Sequence, residues 1–403
     1  MKVINEFRSL KAIVLAGGEG REMRPLSEGH PKTLLKLLGK PIVSYALDAI
    51  ASIGIKETII VVNDVELFRR SLSNYEGKME LRIVKQDKPE VEGAIMSAAK
   101  FIDEGEVFLL AYGDIIAPKE SYKILLNAYV DRGGDGAILI TPQKEVSTYG
   151  VPVLDEEYSV EAIVEKPKVE QEIEYAVAGA YVLPGSFMSI LEETWNMTEA
   201  LNRISRTSKI IAALWSGWWV DVGYPWDLIT AAEHLLKGVK KTIISNSAQI
   251  SPRAIIEGPV IIDDNVKVDH NAVIKGPVYI GRNAYVGTGS IIRNYSSIED
   301  ECIIGAYAEV SRSVIQPRTS IGRLCFVGDS IIGRSTVIEP GVTISNVLPS
   351  GVEVSRLHPV KVRGKLVPKL GAIIGNHSRI KAHMLIQPGT IIKSGQTYSC
   401  SGE

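Results

Sequence analysis

Three glycines, Gly17, Gly18 and Gly20, crowd the run LAGGEGREMRPL at residues 15–26, directly after a short apolar stretch. Glycine lets a backbone pass close to a phosphate chain and aim its N–H groups at it, so the turn suits an anion. A glycine turn after a strand serves equally well as a plain structural turn. The spacing is not G-x-G-x-x-G, and no G-K-S/T follows, which excludes a dinucleotide fingerprint and a P-loop. With 403 residues, 23% of them charged, and a net charge of -2, the chain has no nucleic-acid or membrane signature, and local groups must hold any anionic ligand. The three cysteines, Cys302, Cys325 and Cys400, lack metal-type spacing, and so do His270, His358, His377 and His383.

The first 235 residues alternate short apolar runs of strand length with stretches of helical spacing. KAIVLA at 11–16, ETIIVV at 57–62, LRIV at 81–84, VFLLAY at 107–112 and GAILI at 136–140 read as strands. PIVSYALDAIASIG at 41–54, VELFRRSL at 65–72 and AIMSAAKFI at 94–102 read as helices. The alternation predicts an α/β domain over residues 1–236 with a mostly parallel sheet covered by helices. Ligands of such sheets sit beyond the carboxyl ends of the strands. A basic segment from Lys237 to Thr242 links this domain to the remainder.

From Ile250 to Val310 an Ile or Val recurs every sixth residue, usually with a small residue four places later, such as Ala272, Ala284, Ser290, Ser296 or Cys302. That period is incommensurate with an α-helix, and Pro252, Pro259 and Pro277 would break one. It predicts a parallel β-helix of hexapeptide repeats over 243–403, each coil burying its aliphatics against the next. The phase slips at Ile315 and again at Ile332, then returns after a break at Ile374; loops are expected to leave the coil at these slips. The opening MKVINEFRSL lacks the apolar core of a signal peptide, and no 18-residue apolar stretch occurs. The expectation is a cytoplasmic protein.

Further segments carry a resemblance. HPKTLLKLLGKPI at 30–42, QDKPEVEGAIMSAA at 86–99, YGD at 112–114, YGVPVLDEEYSVEAIVEKP at 149–167, AVAGAY at 176–181 and WVDVGYPWDL at 219–228 follow the glycine turn in order. In these motifs the chain resembles the sugar-1-phosphate nucleotidylyltransferases, or NDP-sugar pyrophosphorylases, across about residues 11–235. Its whole layout is similar to archaeal members that join a Rossmann-like nucleotidyltransferase domain to a left-handed, acetyltransferase-like β-helix. The resemblance implies transfer of a nucleotidyl group from a nucleoside triphosphate, UTP or dTTP, to a sugar 1-phosphate, with Mg²⁺ as cofactor. It also implies a homo-oligomer, a trimer, built through the β-helix.

Residue by residue, the resemblance implies that Gly17, Gly18 and Gly20 cradle the triphosphate and that Lys32 contacts phosphate as a point cation. Gln86 would read a pyrimidine base, with Gly93 beside it. Asp114 and Asp221 would hold Mg²⁺, although either could instead cap a helix or close a turn. Glu165 and Lys166 would face the sugar, with Tyr149, Gly150 and Val177 to Gly179 nearby. The cluster Trp215, Trp218, Trp219 and Trp226 reads as core rather than as a stacking platform.

Two departures matter. The family pattern places an arginine two residues after the last glycine, where this chain has Glu22; Arg21 or Arg24 would have to substitute, with Arg21 the expected catalytic cation. An acidic group beside phosphate is unfavourable, which keeps open a silent regulatory or scaffolding role that binds nucleotide sugar. In the tail, VGDS at 327–330 is present, but the histidine and tyrosine that precede it in acetyl-transferring relatives are Arg323 and Phe326. A guanidinium cannot serve as a general base near neutral pH, so acetyl transfer is expected to be lost while the coil persists.

Overall fold

The computed structural model describes residues 10–75, 77–143, 148–165, 174–346, 360–362, 365–367 and 369–399. The chain forms two compact units, Met1–Gly18 with Ile42–Asp221 and Glu19–Pro41 with Val222–Glu403. These differ from the chain-order domains expected at 236 and 243, because the stretch after the glycine turn belongs with the tail.

Up to residue 221 the strands are β1 (Lys11–Leu15), β2 (Lys36–Leu37), β3 (Lys40–Pro41), β4 (Glu57–Val62), β5 (Glu80–Lys85), β6 (Val107–Tyr112), β7 (Ile115–Ile116), β8 (Gly136–Gln143), β9 (Gly150–Leu154), β10 (Val160–Glu165), β11 (Glu174–Pro184), β12 (Ile210–Leu214) and β13 (Val220–Asp221). The first unit is built on a seven-stranded sheet in the order β12-β8-β11-β6-β1-β4-β5. Pairs β1–β4, β1–β6, β4–β5 and β8–β12 are parallel, as expected, whereas β11 runs antiparallel to both β6 and β8. Strand β4 is buried at five successive positions, which is why ETIIVV is an unbroken apolar run; edge strand β5 alternates exposed and half-buried residues instead.

The helices α1 (Val43–Ser52), α2 (Val65–Ser71) and α3 (Glu90–Ala98) coincide with the expected ones, but α3 begins four residues early. Proline is tolerated at a helix start, and Pro89 stands there, with Glu90 and Glu92 complementing the amino-terminal dipole. No helix among the described residues is long and apolar enough to cross a membrane.

The second unit contains a left-handed parallel β-helix whose short strands stack into three sheets of eight, eight and seven strands. Each inward aliphatic pairs with the one three hexads on, as Ile262 with Ile280 and Val286 with Ile304, and from Ile262 to Ile392 these positions are essentially without solvent exposure. Ile250 and Ile256, at the open end, are only half-buried. Burying each such side chain contributes on the order of 1.5–3 kcal/mol, so repetition along the sequence becomes stability.

The two phase slips do not mark loops. Beyond them Ile298 pairs with Ile315 and Ile315 with Ile332, one residue short of three hexads, so the coil stays continuous and a corner simply loses a residue. Arg312 and Asp329 sit at the shortened corners with positive φ. Only the break before Ile374 is an insertion, since Ile332 pairs directly with Ile374. His377 and His383 are exposed corner residues with positive φ, and His270 is exposed as well, in keeping with surface positions; His358 lies outside the described residues.

The final helix of the second unit, Asp227–Lys237, lies on the coil, with Glu233 near Arg312 at 3.5 Å and the Lys237 ammonium over the Tyr295 ring. The hairpin β2–β3 lies on the coil too: Gly39 N–H donates to Glu299 at 2.8 Å, and the Ser297 hydroxyl donates to the same carboxyl at 2.6 Å. Glu299 is completely buried, and burial raises its pKa from 4.5 to about 7 despite those two donors. Its contribution to stability is therefore fully present below the unfolded value near 4.5 and is lost as pH rises through about 7. Glu299→Gln, which cannot ionise, should gain stability relative to wild type across that window and hold a constant advantage above it. Denaturation midpoints from pH 4.5 to 8.5 check this, and parallel curves for the two proteins would refute it.

Candidate functional site

At the carboxyl end of the first unit's sheet the backbone ladder runs past the strands. Ala16 N–H reaches Val61 O, Gln86 N–H reaches Val62 O and Gly113 N–H reaches Leu15 O, each at 2.8 Å. The turn after β1, the end of β4, the start of the 86–90 loop and the YGD turn are thereby tied side by side, where a ligand of an open α/β sheet is expected. Asn63, at the end of β4, donates through its side-chain amide to Gly17 O. A Cβ on Gly17 would lie 2.0 Å from Gln86 Oε1, so only glycine allows the glutamine to approach the turn. Gln86 Nε2 donates to Lys88 O at 2.8 Å and Glu90 O at 3.0 Å, while its Oε1 is buried with no donor. Gly93 lies within α3, packed on Lys88 of the same loop.

The two aspartates come from strands that pair. β13 runs antiparallel to β7, with Asp221 opposite Ile115, the residue that follows Asp114. Two carboxylate-bearing positions more than a hundred residues apart in sequence thus stand on neighbouring backbone. Among the described residues no cluster of three or more His, Cys, Asp or Glu could hold a metal on its own. A pair of aspartates leaves the remaining positions of an ion to phosphate oxygens and water, the arrangement that suits Mg²⁺.

AVAGAY is a β-bulge. The β11–β8 register shifts between Val177 and Tyr181, and Gly179 within it has φ of 72°. A Cβ there would meet Ile115 at 3.1 Å and the Tyr112 ring at 3.3 Å, which places the bulge against the YGD turn. The bulge turns Ala178 O toward the Trp219 indole N–H at 3.0 Å, two residues before Asp221, and the Trp219 ring meets Tyr149 edge-on with centroids 5.4 Å apart. Gly150 is close to the Glu165 carboxylate and to Val177. Tyr149, Gly150, Glu165, Val177, Gly179, Asp114 and Asp221 therefore belong to one neighbourhood; Lys166 lies outside the described residues.

Sequence reasoning missed two members. Trp219 was assigned to the core with its neighbours, yet it is half-buried and bonded to the bulge; Trp215, at 9% exposure, does fit the core. Its place two residues before Asp221 was the available signal. For Asn63 the signal was an amide immediately after an apolar strand.

Gly20, Arg21 and Lys32 lie in the second unit. Gly20 has φ of 60° and abuts the Lys32 stem, and the carbonyl of Gly20 accepts from the Ser27 hydroxyl at 2.7 Å. Lys32 opens a 3₁₀ turn, Lys32–Leu34, and is half-buried. Arg21 Nε donates to Glu19 at 2.6 Å, and both side chains are exposed; this ion pair raises the arginine pKa and lowers that of the carboxylate. Its preferred partner is a neighbouring carboxylate, a contact that a phosphate would have to replace. In the tail Asp329 is 1% exposed and binds Arg312 at 2.6 Å, Lys369 at 3.3 Å and the Asn346 amide. The VGDS and KLGAIIG motifs thus meet in an ionic cluster around the buried Asp329.

Comparison with known proteins fits this geometry. The model of the nucleotidyl transferase family matches residues 11–238, and that of the GMPPB C-terminal domain matches residues 274–392. A bifunctional sugar-1-phosphate nucleotidylyltransferase/acetyltransferase of Sulfurisphaera tokodaii is 31% identical over 397 residues, 95% of this chain and 94% of the relative. The bifunctional protein GlmU of Methanocaldococcus jannaschii is 30% identical over 398 residues, covering 96% and 92%, and mannose-1-phosphate guanylyltransferase 1 of Arabidopsis thaliana is 28% identical over 387 residues, covering 93% and 98%. Among solved structures, a putative glucose-1-phosphate thymidylyltransferase from Bacillus anthracis superposes with a TM-score of 0.50 at 22% identity, over 55% of this chain and 94% of that one, a likeness of fold.

The bulge supplies a direct test. Gly179→Ala forces an L residue into the left-handed region and presses its methyl on Ile115, so it should destabilise by about 1–2 kcal/mol. Denaturation midpoints measure the change, and an unaltered midpoint would mean that the bulge is not fixed as described.

Proposed function

Because the chain belongs to the nucleotidyl transferase family, we propose that it transfers a nucleotidyl group from UTP or dTTP to a sugar 1-phosphate, with release of pyrophosphate. The observation that carries this reading is the pairing of Asp221 with the residue after Asp114. Asp114 and Asp221 would hold Mg²⁺, which when bound supplies neutralisation of triphosphate charge. The backbone N–H groups of Gly17, Gly18 and Gly20 bind the triphosphate, and Lys32 adds a fixed cation to it. Gln86, beside Gly93, receives the base. Its Oε1 is a buried acceptor without a donor, and the imide N–H of uracil or thymine is a donor of the right kind. Tyr149, Gly150, Glu165, Lys166, Val177 and Gly179 orient the sugar phosphate.

In the transfer an anionic oxygen of the sugar phosphate forms a bond to the α-phosphorus as the bond to the pyrophosphate oxygen breaks in line. The nucleophile already carries its charge, so no general base is needed. Positioning and charge neutralisation supply the acceleration. Acetyl transfer is not part of this reading, since neither Arg323 nor Phe326 can take a proton from an acceptor.

A second reading, a silent partner that binds nucleotide sugar, draws on Glu22 and on the Arg21–Glu19 ion pair. Pyrophosphate release with UTP, dTTP and GTP, several sugar 1-phosphates and Mg²⁺ separates the two. Activity on a pyrimidine nucleotide is expected, abolished by chelation of the metal and reduced at least about a hundredfold in Asp114→Asn and in Asp221→Asn. Silence across the panel with nucleotide-sugar binding intact would transfer the case to the second reading.

A further inference from the structure

On the first sheet of the β-helix the outward positions of the middle strands, Val278–Ile280, Ser297–Ile298, Val314–Ile315, Ile331–Ile332 and Ala372–Ile374, do not meet water, whereas Ile261 before them is half-buried and Ile243 and Ile391 at the two ends are exposed. Tyr279, Ser297, Val314, Ile331 and Ile373 are at most 2% exposed, whereas Tyr285 and Ile303 on the second sheet and Ile255 and Leu385 on the third are 38–56% exposed. Polar side chains along this covered face are aimed at main-chain groups of Glu19–Pro41. Gln316 clasps Lys36 from both sides, accepting from its N–H at 3.1 Å and donating to its O at 2.8 Å. Ser297 accepts from Leu38 N–H at 3.2 Å, and the absent Cβ of Gly39 leaves room for the Tyr279 hydroxyl. At the other end Asn376 donates to Leu26 O at 2.8 Å, and Ser394 donates to Pro25 O at 2.8 Å.

Between these anchors lies His30, two residues before Lys32. Arg334 donates to His30 Nδ1 at 3.0 Å, which fixes the proton on Nε2, and Nε2 then donates to Leu34 O at 3.3 Å across the turn that contains Lys32. Burial, with the Arg334 charge beside it, lowers the His30 pKa to about 4 and keeps the ring neutral for this role. Gln316, Arg334 and Asn376 are not inward aliphatics of the hexads, and their partners in the segment are backbone groups or a ring nitrogen. They therefore specify where the segment lies while placing few demands on its sequence.

We propose that this face of the β-helix is the seat of the segment carrying Lys32, and that Arg334, Gln316 and Asn376 are positioning residues for nucleotidyl transfer. The tail acts on the reaction by holding the phosphate-binding lysine in place rather than by chemistry of its own. The role assigned to Lys32 rests on the function proposed above, whereas the seat itself does not.

The test uses the full-length protein as Gln316→Ala/Arg334→Ala, with Arg334→Lys as the conservative variant and Lys32→Ala as the reference. Two quantities are followed: the rate of tryptic cleavage at Arg21, Lys32 and Lys36, located by mass spectrometry, and kcat and KM for pyrophosphate release. The double variant should be cut within 21–36 at least about tenfold faster and lose about tenfold or more in kcat, since small displacements of a catalytic group are costly. Arg334→Lys should recover part of both. Faster cutting with kcat within twofold of wild type, while Lys32→Ala is inactive, would overturn the positioning role. Unchanged cutting would overturn the seat. Full activity of Lys32→Ala would instead defeat the role given to that lysine and leave the proteolysis to judge the seat alone.

Discussion

The first unit depends on a two-residue antiparallel pairing, Val220 with Ile116 and Asp221 with Ile115. It closes the domain by bringing its last residues back to the turn after β6. Without it Asp221 would be a carboxylate at the end of a loop, and Trp219 would have no reason to reach the β11 bulge. Because the pairing is of main-chain groups, it fixes Asp221 in register whatever the flanking side chains do. The bulge then works from the other side: the two extra residues around Gly179 redirect Ala178 O to the Trp219 indole and bring Val177 to Gly150. Three segments widely separated in sequence become one neighbourhood through backbone geometry and one indole hydrogen bond.

How far this was legible follows from the range of each signal. Hexad periodicity is local and repeated, so the inward positions from Ile262 to Ile392 could be named individually. A one-residue slip was ambiguous, because a loop and a shortened corner look alike until Ile298 is seen opposite Ile315. Strands β1, β4, β5, β6 and β8 were legible as apolar runs, whereas the parallel strand β12 was not read as one. β11 was not, since its residues were absorbed into a motif and its direction depends on β6 and β8. Asp114 and Asp221 were named through family resemblance, whereas their pairing is a long-range property that no window of sequence contains. The clasp of Gln316 on Lys36 joins residues 280 apart, and nothing in either stretch announces it.

Charge in the segment that follows the glycine turn shows a related division. Over the whole chain acidic and basic residues nearly cancel, so attraction for a triphosphate has to be local. Lys32 is half-buried on a short turn, which limits the freedom it would lose on engaging an anion. Arg21 is exposed and neutralised by Glu19, and its ion pair is screened by solvent. Two cations of the same segment are thus prepared differently, one by packing and one only by proximity. The departure at Glu22 is an exposed residue too, and falls on the side that packing does not control.

A coil of stacked hexads is stiff because each strand pairs with the next along its whole length, and its outward positions are free to vary as long as the prism inside is filled. The chain uses that freedom unevenly. Around VGDS, Arg323 and Phe326 precede the motif, and Asp329 is tied to Arg312, Lys369 and Asn346. On another side, fully buried polar groups such as Glu299 and Ser297 are kept although each carries a desolvation cost. Buried polar groups persist when their partners are fixed, and here those partners are main-chain groups of the segment that follows the glycine turn. The inward aliphatics account for the existence of the coil. The polar groups of its covered face answer instead to the segment that follows the glycine turn.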